Sequence, residues 1–251
     1  MKRILIYLSI LIFTGWMAFL LPACSRGSSQ VIRIGIDPNW YPQDFQDKQF
    51  YVNGFVDELL LEISRHSNVE FQRVGSNWDS LLEGLKLRRY DAVLTSFPPY
   101  PFNQAKYDFS RNFLDIGPVF VTASQSTMKG LEEMSNSVAG VLSGNQDWRV
   151  MQKYPDVIMR IYESVPEIFD AIINNEVGGI VLDRLTAVGF VRGAYAGKLK
   201  ICGPSLTDVG LHLVTLKGDS SNAVKMFDQN LQYLIKKKKL QKLLKKWQLA
   251  D

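Results

Sequence analysis

What most limits the folds open to this chain is the order of its periodicities. Residues 31–36 alternate and are rich in β-branched side chains, residues 54–63 set Phe55, Leu59, Leu60 and Ile63 at helical spacing, and residues 69–74 return to a strand pattern. A helical segment at 78–87 then leads into a short apolar strand at 91–94. Strand, helix, strand, helix, strand predicts a doubly wound α/β layer, because each helix must bury its apolar stripe against the sheet. A second run follows, with strands at 138–142, 157–162 and 179–182 and helices from Gln146, at 166–174 and at 184–195. It predicts a second lobe of the same kind. Residues 117–123, GPVFVTA, are extended and apolar with no helix on either side, and read as a crossing between lobes. Residues 200–207 lead out through Gly203 and Pro204 to a strand at 210–216 that returns to the first lobe, and a helix at 221–235 follows. The expected organisation is residues 31–116 with 211–251 as lobe 1 and residues 117–210 as lobe 2, two α/β lobes hinged on two crossing strands.

The first residues are of another kind. Lys2 and Arg3 precede an apolar run over residues 4–21 that ends Leu21-Pro22-Ala23-Cys24, the pattern of a secretory leader. Its end resembles a lipobox, which makes residues 1–23 a lipoprotein signal peptide, Cys24 an acylated, palmitate-bearing N-terminus, and residues 24–30 a flexible tether. The alternative is a single transmembrane anchor, since the run is nearly long enough to span a bilayer. Both place the folded part outside the cytoplasm, as a periplasmic or cell-envelope protein held at a membrane. With lipid on Cys24, the other of the two cysteines, Cys202, has no intramolecular partner, so no disulfide framework is expected.

Loss of the leader removes Lys2 and Arg3 from a formal charge of +4, and the lysines at 236, 237, 238, 239, 242, 245 and 246 outweigh what remains of the excess. They lie opposite an apolar stripe of Ile235, Leu240, Leu243, Leu244 and Trp247. The tail therefore reads either as the solvated face of a C-terminal helix packed on its lobe, or as a contact for anionic headgroups or a partner. An exported chain without a reader motif is not expected to bind nucleic acid.

Residues 90–110, YDAVLTSFPPYPFNQAKYDFS, carry the clearest site signal. A buried strand runs into Thr95 and Ser96 where a Pro-rich loop begins, Asn103 opens a short helix, and Asp108-Phe109-Ser110 starts the next strand. Strand ends are where α/β proteins place ligands. Asp37 stands at the end of the first strand, either as a turn cap or as a carboxylate facing a solute. Trp40 and Phe55 either pack in the core or sandwich a planar part of that solute, with cation–π attraction if it is cationic. In the second lobe Ser143-Gly144-Asn145-Gln146 opens a helix whose backbone N–H groups suit an anion, and Asp183 either caps a helix or faces the cleft. His66 and His212 form no visible triad, and Cys202 has no His or Cys close in sequence, so neither a catalytic residue nor a metal or other cofactor is expected.

Asp91-Ala92, Thr95-Ser96 and Asp108-Phe109-Ser110 fall in the register of the extracytoplasmic solute-binding proteins of polar amino acid ABC importers, family 3, of the lysine/arginine/ornithine- and glutamine-binding kind. The chain resembles that family over nearly all of residues 31–249, in lipoprotein form, and Gly54-Phe55 is similar to its "GfdvDl", with Val56 and Glu58 where the family has Asp. The resemblance implies the type II periplasmic binding protein fold, a small polar solute as ligand, an ABC permease in the inner membrane as partner, and action as a monomer. It also implies that Asp37 meets the ligand side chain, Trp40 and Phe55 stack on it, Ser143–Gln146 match the "GT" loop, and Asp183 accepts the α-ammonium.

Asn103 departs from the pattern. The family has Arg there, gripping the α-carboxylate in a charge-assisted pair, and Pro98 replaces a small hydrogen-bonding residue. A carboxylate facing Asn keeps much of its desolvation cost. Either an amino acid still binds through Thr95, Asn103 and the Gly144-Asn145 turn, with Arg111 or Lys106 swung in, or the ligand lacks a free carboxylate. Asp37 and Asp183 kept without the matching cation tilt the site toward a cationic or amine-bearing ligand. The alternatives in other classes are a dehydratase or lyase on the same scaffold, with Asp37 or Asp183 as acid or base, and a ligand-poor receptor that docks or signals.

Overall fold

The first strand, QVIRIGI, buries Ile32, Ile34 and Ile36, and this alternation seats it in a sheet with helices on its faces. The computed structural model describes residues 30–40, 45–219 and 221–250. The leader with its Leu21-Pro22-Ala23-Cys24 end, the tether residues 26–29, and Tyr41 and Pro42 lie outside the described residues. Among the described residues no helix is long and apolar enough to cross a membrane.

Lobe 1 is built on β1 (Gln30–Ile36), α1 (Gln49–His66), β2 (Val69–Gly75), α2 (Trp78–Lys86), β3 (Ala92–Thr95), α3 (Pro101–Gln104), β4 (Tyr107–Phe109) and β5 (Leu114–Asp115). β11 (Gly210–Leu216) returns to it late in the chain, giving the order β2-β1-β3-β11-β4, with β5 also on β11. β1 and β3 are parallel, whereas β11 runs antiparallel to both β3 and β4. Helices α6 (Ala223–Lys236) and α7 (Lys239–Lys246) join α1 in covering one face, where Phe55, Leu59, Phe227 and Leu231 meet Ile34, Leu94 and Leu213. On the other face α2 sets Leu81 and Leu85 against Tyr90, Val93 and Val214. Tyr90 fits there because Gly35 lacks a Cβ, which would lie 2.5 Å from its ring.

Lobe 2 holds β6 (Pro118–Ala123), β7 (Val138–Leu142), β8 (Ile158–Tyr162), α4 (Val165–Ile173), β9 (Gly179–Asp183), α5 (Arg184–Arg192) and β10 (Leu199–Cys202), in the order β10-β6-β9-β7-β8. α4 and α5 cover one face through Ile168, Phe169 and Ala187. A 3-10 turn at Asp147–Lys153 helps close the other, around Phe120, Val141 and Met151.

The chain passes between the lobes twice. Ile116 and Gly117 donate to the Val209 carbonyl at 3.2 and 3.0 Å, Leu206 donates to the Pro118 carbonyl at 2.8 Å, and the Ser205 hydroxyl donates to the Gly117 carbonyl at 3.2 Å. A Cβ at Gly117 would lie 2.6 Å from the Thr207 hydroxyl, so glycine here allows the two crossings to run side by side.

Three expectations are corrected. Residues 117–123 are not mainly a crossing: Pro118–Ala123 is an inner strand of the second sheet, between β10 and β9. The helix expected from Gln146 is the 3-10 turn, where the Asp147 N–H donates to the Asn145 side chain. The C-terminal helix is broken at Lys238, which adopts φ 56°. The break takes Ile235 off the apolar stripe, leaving it 48% exposed, while Leu243 is buried and Leu240, Leu244 and Trp247 pack on the lobe 1 core.

The lysine-rich α7 is fastened to α1. Trp247 covers Gly54, where any Cβ would overlap its ring; its indole N–H donates to Glu58 at 2.8 Å, Lys246 pairs with Glu58 at 2.6 Å, and Lys239 pairs with Glu62 at 3.1 Å. The hydrogen bond from Lys246 holds the Glu58 carboxyl below the usual carboxylate range against the opposing cost of burial, and Lys239 does the same for Glu62. A carboxyl with a folded value below its unfolded one stabilises fully above the unfolded value of about 4.3, and that contribution is lost as pH falls through the folded value. The Glu58 and Glu62 contributions should therefore be lost below about pH 5, and thermal melts there should fall less steeply in Glu58→Gln than in the wild type. Equal slopes would show that this fastening does not set the acid stability.

Candidate functional site

At the end of β1 the chain turns sharply. Asn39 N–H donates to the Asp37 carboxylate at 2.9 Å and Trp40 N–H to the Asp37 carbonyl at 2.9 Å. Asp37 is buried, and the β1–β3 register of Ile36 with Leu94 sets it beside Thr95 on the neighbouring strand end. Trp40, at φ 60°, turns into the core of lobe 1, where its indole N–H donates to Asn53 at 3.1 Å. Phe55 is fully buried as well, its ring 6.4 Å from that of Phe113. α1 starts five residues before the expected helix, and Val52, Phe55 and Leu59 share its buried face. Both aromatic rings thus pack in the core of lobe 1.

Thr95 and Ser96 end β3, both buried. The Thr95 hydroxyl accepts from Phe97 N–H at 3.1 Å, and the Ser96 hydroxyl has no hydrogen-bond partner among the described residues. Thr95 stands opposite His212 on β11. His212 Nδ1 lies 2.9 Å from the Ser110 carbonyl, which fixes the proton on Nδ1, and Nε2 has no partner among the described residues. Burial pushes the His212 imidazole down, so the ring is held neutral. This histidine beside the strand-end hydroxyls was not foreseen. Its place depends on the register of a strand more than a hundred residues downstream.

Asn103 is buried in α3, and its amide donates to the Pro98 carbonyl at 2.8 Å. It braces the Pro-rich loop. Arg111, the first candidate to replace the missing cation, is bound to α6: its N–H donates to Asp228 at 2.8 Å, and its guanidinium reaches the Gln232 amide oxygen at 2.6 Å. Lys106 is exposed beside the start of β4, its carbonyl accepting from Lys217 N–H at 3.0 Å. A cavity of about 440 Å³ lined by Asp108, Arg111, Asp228 and Gln232 lies on this α6 side and includes none of the expected site residues.

On lobe 2, the Asn145 side chain accepts from Asp147 N–H at 2.5 Å at the start of the 3-10 turn, which occupies one of the N–H groups expected to await an anion. Asp183 accepts from Thr186 N–H at 2.9 Å and caps α5. The structure brings Asp147 to Asp183. Burial pushes the Asp147 carboxyl up and the Asp183 charge raises it further, while Asn145 and the Asp183 backbone N–H draw it down. Asp147 therefore joins the candidates; its local signal, an acid two residues after an Asn, is that of a capped turn. Asp183 stands next to the hinge, paired in register with Pro118, and the neighbouring Arg184 reaches 4.0 Å from Asp115 of lobe 1. So Asp37, Thr95 and Ser96 cluster on one lobe and Asn145, Asp147 and Asp183 on the other. Among the described residues no group of three or more His, Cys, Asp and Glu is placed to hold a metal ion.

The cap and the charge of Asp183 are separable. Asp183→Ala should cost about 0.5–2 kcal/mol in urea unfolding, whereas Asp183→Asn keeps an accepting oxygen and should stay close to the wild type. A similar loss in both variants would mean that the charge, not the cap, stabilises α5.

The sequence profile of bacterial extracellular solute-binding proteins, family 3, matches residues 32–250. The L-cystine-binding protein TcyJ of Escherichia coli (strain K12) is 24% identical over 221 residues, which cover 87% of this chain and 82% of that protein. The histidine-binding periplasmic protein of the same organism is 24% identical over 188 residues, 71% of each chain. Among solved structures, the L-cystine solute receptor of Neisseria gonorrhoeae in the unliganded open conformation is similar with a TM-score of 0.67 at 20% identity, over 89% of this chain and 94% of that one. That likeness shows the fold, the two-lobe α/β type II fold expected from the sequence.

Proposed function

Since this chain belongs to the bacterial extracellular solute-binding proteins of family 3, we propose that it is the extracytoplasmic receptor of an ABC importer, closing two lobes on an amine-bearing small molecule. The observation that carries the amine is the disposition of charge. Asp37 stands on the lip of lobe 1 and Asp147 with Asp183 on that of lobe 2, while Asn103 is turned onto Pro98 and Arg111 onto α6. An ammonium group between such lips is compensated, whereas Asn103 and Arg111, the groups expected to meet a carboxylate, are both engaged within lobe 1. The Ser96 hydroxyl, buried and unpartnered among the described residues, is a further contact for the solute. Closure follows if the solute touches both lips and so binds the closed form more tightly than the open one. The reading includes a lipid anchor at Cys24, supported by the Leu21–Cys24 pattern, action as a monomer, and delivery to a membrane permease.

The test is a thermal-shift comparison of matched pairs that differ only in carboxylate: lysine and cadaverine, arginine and agmatine, histidine and histamine, and cystine and cystamine, which differ by two. A ligand specific for the folded state at a hundred times its Kd adds about 2.7 kcal/mol of stability. The expected result is a shift with at least one amine that equals or exceeds that with its amino acid, and that Asp183→Asn abolishes. Shifts confined to the amino acids would overturn the amine assignment, and conversion of any compound to product would overturn the receptor in favour of an enzyme.

A further inference from the structure

An open groove of about 340 Å³ lies on lobe 2 at the carboxyl ends of β7 and β8. Small-ligand pockets run from about 300 to 1,000 Å³, so it has room for a ring or a short chain. Its walls are mainly apolar: Val141, Trp148, Met159 and Ile161, with Ser143 and Asn145 at one end. The parallel register pairs Ala139 with Met159 and Val141 with Ile161, which sets Val141, Met159 and Ile161 on one face. The turn at Asp147–Lys153 then brings Trp148 alongside. Ile161 is 69% exposed and Met159 47%. Single exposed aliphatic residues are ordinary, but several lining one groove mark a binding surface.

Continuity with the solute site says what fills it. Ser143 and Asn145 line the groove and also form the loop beside the acidic lip; the Asp147 N–H donates to Asn145, and Trp148 is the next residue. Gly144, at φ 74°, lies in the same loop and has open space where a Cβ would be. Resting on the receptor reading above, we propose that this groove is a second subsite of the solute cleft and takes an apolar arm carried by the amine. The preferred ligand class is then an amine with an aliphatic or aromatic tail, its ammonium at Asp147 and Asp183 and its tail against Trp148, Met159 and Ile161.

The test is calorimetric titration of the exported, leader-free protein with ethylamine, hexylamine and phenethylamine, which share the ammonium and differ in the arm. Hexylamine and phenethylamine should bind roughly tenfold or more tightly than ethylamine, as expected when apolar area leaves water. Ile161→Ser, a change at an exposed position, and Trp148→Ala should each shrink that ratio. If amines bind but the ratio stays near one, or survives both variants, the subsite is wrong and the receptor reading stands. If neither this series nor the matched pairs above bind, both fall. If the protein sediments as a dimer that Ile161→Ser dissociates, the groove belongs to a second copy and the inference is overturned.

Discussion

The two crossings at residues 116–118 and 205–209 are held side by side. Backbone bonds from Ile116 and Gly117 to Val209 and from Leu206 to Pro118 make them a two-stranded ribbon, and the closeness of Gly117 to Thr207 leaves no room for a side chain between them. Such a ribbon fixes where each lobe begins while letting the lobes rotate through a few dihedrals near its ends. The candidate groups depend on it. Asp183 is in register with Pro118, the first residue of β6, and the contact between Arg184 and Asp115 spans the same hinge.

Each lobe must be rigid for that hinge to transmit anything. Lobe 1 achieves this with a sheet buried on both faces and with a tail that closes back on its first helix, Trp247 over Gly54 and Lys246 on Glu58. Glu58 holds both the indole and the ammonium of the tail. Lobe 2 is less enclosed. Its edge strand β8 leaves Ile158, Met159 and Ile161 exposed, and the apolar groove opens beside them.

Strands and helices were legible because burial imposes their periods: Ile32, Ile34 and Ile36 alternate, and Phe55, Leu59 and Ile63 recur at helical spacing. The apolar run after Gly117 was harder to read, because a fully buried inner strand lacks the alternation that separates strand from crossing. The site was legible as positions more than as roles. Strand-end placement was visible for Asp37, Thr95 and Ser96, but the burial of Trp40 hangs on a positive φ that a local pattern does not announce, and that of Phe55 on where α1 begins. Asp183 was read with two outcomes and is found capping α5, whereas Asn145, read as part of an anion-facing loop, is found accepting from the Asp147 N–H. His212 beside Thr95 and Asp147 beside Asp183 arise from long-range pairing, which spacing along the chain does not encode.

On the proposed reading, an amine-bearing solute draws the two lobes together about this hinge. This is tested most directly by the distance between dyes on cysteines introduced at the exposed Lys86 of lobe 1 and Glu176 of lobe 2, followed by single-molecule energy transfer while an amine that stabilises the protein is added. A second, closed population should appear, grow with ligand and saturate with binding. A distance distribution unchanged at full occupancy would contradict it.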